Sequence, residues 1–180
     1  METYPKLKIF RQDEDTGPSM KIVPTVKRCL GERAIIISID DDSAYNKSQI
    51  FTLLHALEIA NYECVVGFRG QSDRGMFSFG EHGVQVKSQQ LLPKLKEYFP
   101  NVEPVDIIEG FGMIAYLSDL VDVQAIETAS KTSKECFRSD DLTISYALEK
   151  RGVPKFALNH VNPFPGVQQL SSGYEADALS

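Results

Sequence analysis

The chain has 180 residues, 42% of them hydrophobic and 24% charged, which is enough for one domain with a substantial core. Its net charge of -6 argues against a nucleic-acid binder, and no apolar run approaches the roughly 20 residues that a membrane span requires. The N-terminal sequence METYPKLKIF lacks the apolar core of a signal peptide, and the three cysteines are far apart. We therefore expect reduced thiols in a cytoplasmic protein rather than a disulfide framework or a zinc site.

The hydrophobic pattern predicts strands that alternate with helices. Strands are predicted at 6–10, 34–39, 62–68 and 155–158, and two short ones flank a glycine turn within 104–117. Helices are predicted within 19–30, 47–61, 122–130 and 139–152, residues 69–83 form a long loop, and Pro93 leaves 89–99 ambiguous. This alternation favours one α/β domain over residues 1–180, with a mainly parallel central sheet flanked by helices.

Three consecutive aspartates, Asp40 to Asp42, follow the apolar run AIIISI. We expect that run to be a central strand buried on both faces, and ligands bind beyond the carboxyl ends of such strands. Side chains alternate along an extended backbone, so Asp40 and Asp42 should face one side and Asp41 the other. Two carboxylates facing the same way suit a divalent ion such as Mg²⁺ or Mn²⁺. The alternative is a solvated turn in which an aspartate caps the next helix.

Two further motifs lie downstream of the acidic triplet. Ser139 is a candidate N-cap that places Asp140 and Asp141 in the first turn of a helix, where they would also be expected simply to meet the helix dipole. Gly110 and Gly112 flank Phe111 between two predicted strands. This glycine turn indicates either a hairpin or bulge, or a backbone that approaches a ligand closely.

In this order, the motifs resemble the metal-dependent glycosyltransferases of the GT-A fold. That family also has an acidic triplet after a strand, a glycine turn, an SDD-type motif opening a helix, and a segment similar to EDTGPSMK upstream. The chain looks most like the small glycosyltransferase domain with which chlorella viruses glycosylate their capsid protein, from about Lys6 to its end. The resemblance implies a GT-A-like (Rossmann-like) fold that apparently lacks the first βα unit, and, for a viral protein, the host cytoplasm.

The same resemblance implies a nucleotide-sugar donor, with UDP favoured over GDP, a glycan or glycoprotein acceptor, and Mn²⁺ or Mg²⁺ as cofactor. Asp42 would be the main metal ligand, and Asp40 would reach the metal through water or touch the ribose. Asp41 belongs to the same donor-binding motif, although we expect it to be mainly structural. His160 is a candidate late metal ligand, with a surface or packing histidine as the alternative.

The remaining family roles fall on the other motifs. Lys21 would lie near the donor and offset diphosphate charge, and residues 110–112 (Gly110, Phe111, Gly112) would line the donor and acceptor sugars. Asp141 would deprotonate the acceptor hydroxyl in an inverting transfer, with Asp140 binding sugar hydroxyls, although the division of roles between these two stays open. Phe77 and Phe79 indicate either a flap over the acceptor or an anchor for their loop.

Two other classes of function fit the same residues. One is a non-catalytic domain that binds a sugar nucleotide or glycan. The other is a metal-dependent phosphohydrolase or nucleotidyltransferase, which also uses clustered aspartates, commonly with two metal ions, and releases phosphate or pyrophosphate.

Overall fold

The computed structural model describes residue 6, residues 8–72 and residues 82–158. The strands are β1 (Ile35–Ser38), β2 (Val65–Gly67), β3 (Gly70–Gln71), β4 (Glu103–Pro104), β5 (Ile107–Ile108), β6 (Ile114–Leu117) and β7 (Lys155–Ala157). The α-helices are α1 (Val23–Arg28), α2 (Lys47–Ile59), α3 (His82–Tyr98), α4 (Val123–Ser130), α5 (Lys134–Arg138) and α6 (Asp140–Lys150). Short 3-10 turns span Pro18–Lys21, Gly110–Gly112 and Ser118–Leu120. Among these residues, no helix is both long enough and apolar enough to cross a membrane.

The central sheet has five described strands in the order β1-β6-β2-β7-β4, and β3 pairs with β5 in a separate two-stranded sheet. The predicted α/β class is confirmed. A mainly parallel sheet is not confirmed, because β2–β7 is the one parallel pairing among the described strands of the five-stranded sheet. The physical reason is β6, which lies between β1 and β2 and runs antiparallel to both.

The strands that follow helical crossovers nevertheless point the same way. Since β1 and β2 are both antiparallel to β6, and β7 is parallel to β2, the strands β1, β2 and β7 share one direction. Their carboxyl ends therefore meet at one edge of the sheet, together with the amino end of β6. Three of the segments that the sequence singles out lie at this edge: the acidic triplet, the chain after β2, and the glycine turn.

Strand β1 differs from its prediction. It is at the end of the described strand order, so the expectation of a central strand is wrong for this part of the chain. Ile36 and Ser38 are buried, but Ile35 is 42% exposed and Ile39 is 52% exposed. A β-branched run of this kind is typical of a strand covered on both faces. In this chain it forms an edge strand with one well-covered face.

Other local predictions are settled by the same elements. Residues 8–10 of the first predicted strand form no strand, and the ambiguous segment 89–99 continues α3 through Pro93. The strands on either side of the glycine turn do not pair with each other, so this turn is not a hairpin: β5 pairs with β3, whereas β6 enters the central sheet. Phe77 and Phe79 lie outside the described residues.

Two buried clusters cover the two faces of the sheet. One joins α1, α4 and α6 to side chains such as Ile114 and Tyr116 of β6, and the other joins α2 and α3 to Ala115 of the same strand. The alternation along β6 is that of a strand with both faces packed. Within the first cluster, Ile144 and Leu148 anchor α6, which fixes the position of its first turn, where Asp140 and Asp141 lie.

Candidate active site

An ammonium group between two carboxylates forms the centre of the site. Nζ of Lys21 lies 2.8 Å from Oδ1 of Asp40, in a hydrogen bond, and 2.7 Å from Oδ2 of Asp140, in an ion pair. The side chains of Lys21 and Asp40 are each 24% exposed and that of Asp140 is 12% exposed. Oδ2 of Asp140 is buried, and the ammonium of Lys21 is its charged partner among the described residues. Lys21 therefore offsets the repulsion between carboxylates from two distant motifs.

Lys21 reaches this position from the end of a 3-10 turn that begins beside a constrained glycine. Gly17 has φ 74°, a left-handed conformation that an L-residue adopts only with strain, and Pro18 follows it at the start of the turn. A Cβ on Gly17 would lie 2.7 Å from the backbone oxygen of Phe137 in α5. The TGPSMK sequence thus packs its turn closely against α5, and this packing sets the direction from which Lys21 enters.

Tyr45 links the acidic triplet to the glycine turn. Its hydroxyl accepts a hydrogen bond from the backbone N–H of Asp40 at 3.0 Å and donates one to the carbonyl of Phe111 at 3.1 Å. The hydroxyl therefore bridges two backbone segments. The spacing of Tyr45 five residues after Asp40 gave no signal of this role.

The glycine turn contacts both Lys21 and Asp141. The N–H of Gly110 donates to Oδ1 of Asp141 at 2.7 Å. A Cβ on Gly110 would lie 2.9 Å from Nζ of Lys21 and 3.1 Å from the same carboxylate oxygen. A side chain at this position would displace one or both charged groups, so the glycine is needed for the close contact with Lys21 and Asp141, and the approach of this backbone to a ligand stays a prediction.

Charge and burial raise the pKa values of two groups, Asp141 and Lys21. The shift disfavours the charged form of Asp141 and favours the charged form of Lys21. Burial raises the pKa of Asp141 to about 6; the N–H of Gly110 opposes this shift and the nearby Asp140 adds to it. Burial would lower the pKa of Lys21, but its contacts with Asp140 and Asp40 outweigh burial and raise that pKa above its usual range. Near neutral pH, Lys21 is therefore a permanent cation and Asp141 is a carboxylate close to its titration range.

Phe111 carries a partner that the sequence did not single out. The guanidinium carbon of Arg69 lies 4.9 Å from the centre of the Phe111 ring, a cation–π distance. Arg69 follows β2, so it comes from the same edge of the sheet as the acidic triplet. A Cβ on Gly112 would lie 3.2 Å from the side chain of Arg69, which explains the second glycine of the turn. An arginine just after a strand was the available signal for this residue.

The other predicted site residues, Asp41, Asp42 and His160, have no described contact with the Lys21 cluster. Asp41 is exposed, and Asp42 is partly buried and accepts a hydrogen bond from the hydroxyl of Ser43 at 3.2 Å. The strand ends at Ser38 and the triplet turns at Asp41, so the alternation expected of an extended backbone does not hold across it. His160 lies outside the described residues.

The described residues include two of the three predicted metal ligands, Asp42 and Asp40, and leave out His160. Among them, no group of three or more His, Cys, Asp or Glu residues is arranged to hold a metal ion. Asp40, the predicted water-mediated or ribose contact, is instead paired with the ammonium of Lys21. A requirement for Mn²⁺ or Mg²⁺ therefore stays a prediction.

Comparison with protein-family models, with curated proteins and with solved structures finds no match to this chain.

Proposed function

We propose that the chain is a glycosyltransferase that moves a sugar from a nucleoside-diphosphate sugar to an acceptor hydroxyl, with Asp141 as the general base. The observation that carries the proposal is the meeting of four sequence motifs at Lys21. TGPSMK supplies the lysine, the acidic triplet supplies Asp40, the glycine turn supplies Gly110, and the SDD motif supplies Asp140 and Asp141. These are the motifs whose order resembles the GT-A family.

The environment of Asp141 supports a base role. Its carboxylate is partly buried, and the N–H of Gly110 holds one oxygen, which fixes the orientation of the group. In the described part of the chain, no residue donates a hydrogen bond to the other oxygen, and this is the oxygen that would accept one from the acceptor hydroxyl. The acceptor must lose its proton as it attacks the anomeric carbon, and a base whose pKa is about 6 is ionised at pH 7 and still basic enough to take that proton.

The charges around Asp141 support the binding of an anionic donor. Lys21 compensates one of the two negative charges of Asp40 and Asp140, which lowers the repulsion that a diphosphate would meet at this edge of the sheet. Arg69 supplies a second cation beside Phe111, and the ring of Phe111 is partly exposed. An aromatic face next to a guanidinium suits the apolar face of a sugar or a base.

The test is a thermal-shift screen of UDP- and GDP-sugars, each with Mn²⁺, with Mg²⁺ and with EDTA. A donor that binds the native state raises its unfolding temperature by mass action, and the metal arms test the cofactor prediction separately. Donors that raise the unfolding temperature are then incubated with the protein and acceptor glycans. The nucleoside diphosphate released is measured for the wild type, for Asp141→Asn and for the exposed control Asp119→Asn.

Each outcome has a defined meaning. Release of nucleoside diphosphate that Asp141→Asn abolishes and Asp119→Asn leaves intact supports the proposal. Donor binding without turnover would replace it with a non-catalytic binding domain, and release of phosphate or pyrophosphate would replace it with a phosphohydrolase or nucleotidyltransferase. The absence of any donor binding under all three metal conditions would overturn it.

A further inference from the structure

A cavity of about 440 Å³ lies between α4 and α6, with Ile107 of β5 and Cys136 of α5 also in its wall. Five residues of α6 belong to the wall, and three of them, Leu142, Tyr146 and Lys150, are spaced four residues apart and form one stripe along that helix. Volumes of this size are typical of sites for small molecules. The wall contains none of the charged residues of the Lys21 cluster, namely Lys21, Asp40, Asp140 and Asp141.

Most polar groups in the wall are already used by the protein's own backbone. The hydroxyls of Thr128, Thr132 and Thr143 donate to carbonyls one turn earlier in their own helices. Ser145 accepts a hydrogen bond from the backbone N–H of Ile108 at 3.0 Å. The threonine hydroxyl protons are thus used within the protein and cannot be donated to a ligand, whereas the threonine methyl groups remain as apolar contact surface.

Charge in the wall comes from two residues that differ in their availability. The carboxylate of Asp122 accepts a hydrogen bond from the N–H of Ala125 at 3.0 Å and so caps α4, where the helix dipole also stabilises it. Lys150 is exposed and has neither an ion pair nor a side-chain hydrogen bond with another described residue. The cation is therefore the charge that remains available to a ligand.

We propose that this cavity between α4 and α6 binds a small molecule with an apolar body and one anionic group, such as an alkyl or aryl carboxylate. The apolar body lies against the threonine methyl groups, Ala129 and Leu142, and the anionic group contacts the ammonium of Lys150. The proposal is independent of the proposed glycosyltransferase activity, because no residue of the Lys21 cluster takes part in it.

The test compares two dyes that share an aromatic body and differ in charge. Anilinonaphthalene sulfonate carries an anionic group, and N-phenyl-1-naphthylamine is its neutral counterpart. Each is titrated into the folded protein and followed by fluorescence, with near-UV circular dichroism to confirm native packing. We expect saturable binding of both dyes at one site, and competition by decanoate.

Variants locate the site. Lys150→Gln should weaken binding of the sulfonate about fivefold, as expected for one partly solvated ion pair, and leave the neutral dye unchanged. Lys131→Gln removes a lysine that is also exposed but lies outside the wall, and should change neither. Ala129→Phe should fill the cavity and remove saturable binding of both dyes; Thr132→Phe does the same from an exposed position and serves if the first variant fails to fold.

The proposal is overturned if neither dye binds the native protein, or if binding persists in both filling variants. It is also overturned if Lys150→Gln and Lys131→Gln weaken the sulfonate equally, since that would indicate adsorption to general positive charge. Binding of the neutral dye that Lys150→Gln does not alter, together with fivefold weaker sulfonate binding, supports both parts of the assignment.

Discussion

Lys21→Met tests the idea that one ammonium holds two acidic motifs together. The substitution keeps most of the apolar stem and removes the charge 2.8 Å from Asp40 and 2.7 Å from Asp140. The two carboxylates are then left without their cation, and Asp140 is only 12% exposed. The variant should therefore lose stability through electrostatics rather than through packing.

The expected magnitude lies between two known limits. Removing one partner of a fully buried pair costs about 3–5 kcal/mol, whereas exposed pairs contribute about 1 kcal/mol or less. Lys21 and Asp40 are each 24% exposed, so solvent screens part of the interaction, and we expect a loss of about 2 kcal/mol. For a chain of this size that loss lowers the unfolding temperature by about 4–8 °C.

The assay is urea unfolding of a double-mutant cycle, followed by circular dichroism. Asp140→Asn in the Lys21→Met background removes the most buried unpaired charge and should restore about half of the lost stability. Lys27→Met is the matched control, because Lys27 also pairs with a carboxylate, Glu127, but is 49% exposed. Equal losses in Lys21→Met and Lys27→Met, or no recovery with Asp140→Asn, would refute the reasoning.

Four further predictions concern the site and the turns that position it. Asp141→Asn should lower transfer by about 10²- to 10⁴-fold, and in the wild type kcat/KM should fall as the pH falls through about 6; a profile without this acid limb would exclude Asp141 as the base. Because the pKa of Asp141 is raised on folding, the wild type loses stability as the pH rises from ~4 through 6. The stability of Asp141→Asn relative to the wild type, measured by urea unfolding, should therefore be greater at pH 8 than at pH 4. Gly110→Ala should reduce kcat with little loss of stability, because the new Cβ meets only the ends of two side chains. Gly17→Ala should instead lower the melting temperature, because its Cβ would lie 2.7 Å from a backbone carbonyl oxygen at a residue with φ 74°. A larger loss of melting temperature in Gly110→Ala, or a larger loss of kcat in Gly17→Ala, would contradict this. Tyr45→Phe should cost about 1–2 kcal/mol of stability and weaken donor binding, because it leaves two backbone groups without their bridge; an unchanged donor Kd would remove Tyr45 from the site.

The sequence predicts the meeting of strand ends at one edge of the sheet better than it predicts the order of the strands. The helices between β1, β2 and β7 imply that these strands share one direction, and this is sufficient to bring the ends of distant motifs to one edge. Pairing partners are not encoded in the local pattern. Nothing in the residues of β6 indicates that this strand inserts antiparallel between β1 and β2, or that β1 lies at the end of the described strand order.

Charge pairing was also beyond what the sequence could predict. Lys21 was expected near a diphosphate, and the structure pairs it with carboxylates. Which cation compensates a cluster of acids depends on three-dimensional proximity, and Lys21 is separated from Asp140 by most of the chain. Arg69 was missed for the same reason, since its contact with Phe111 joins two segments that share no periodic pattern.

The acidic motifs also have simpler interpretations, as a helix cap for the triplet and as partners of the helix dipole for Asp140 and Asp141. If an aspartate of the triplet served to cap the next helix, it would occupy the N-cap of α2, but Asn46 does so, in a capping box with Gln49. If Asp141 served only to meet the dipole of α6, it would be solvated and its pKa would lie at or below the ordinary value; burial instead raises that pKa to about 6. Met113, just after the glycine turn, is buried with φ 68°, a further local strain of about 1–3 kcal/mol. Three features at this edge of the sheet each lower the stability of the fold: a buried carboxylate, neighbouring carboxylates that repel each other, and a strained backbone. Features that cost stability cluster where function constrains the chain.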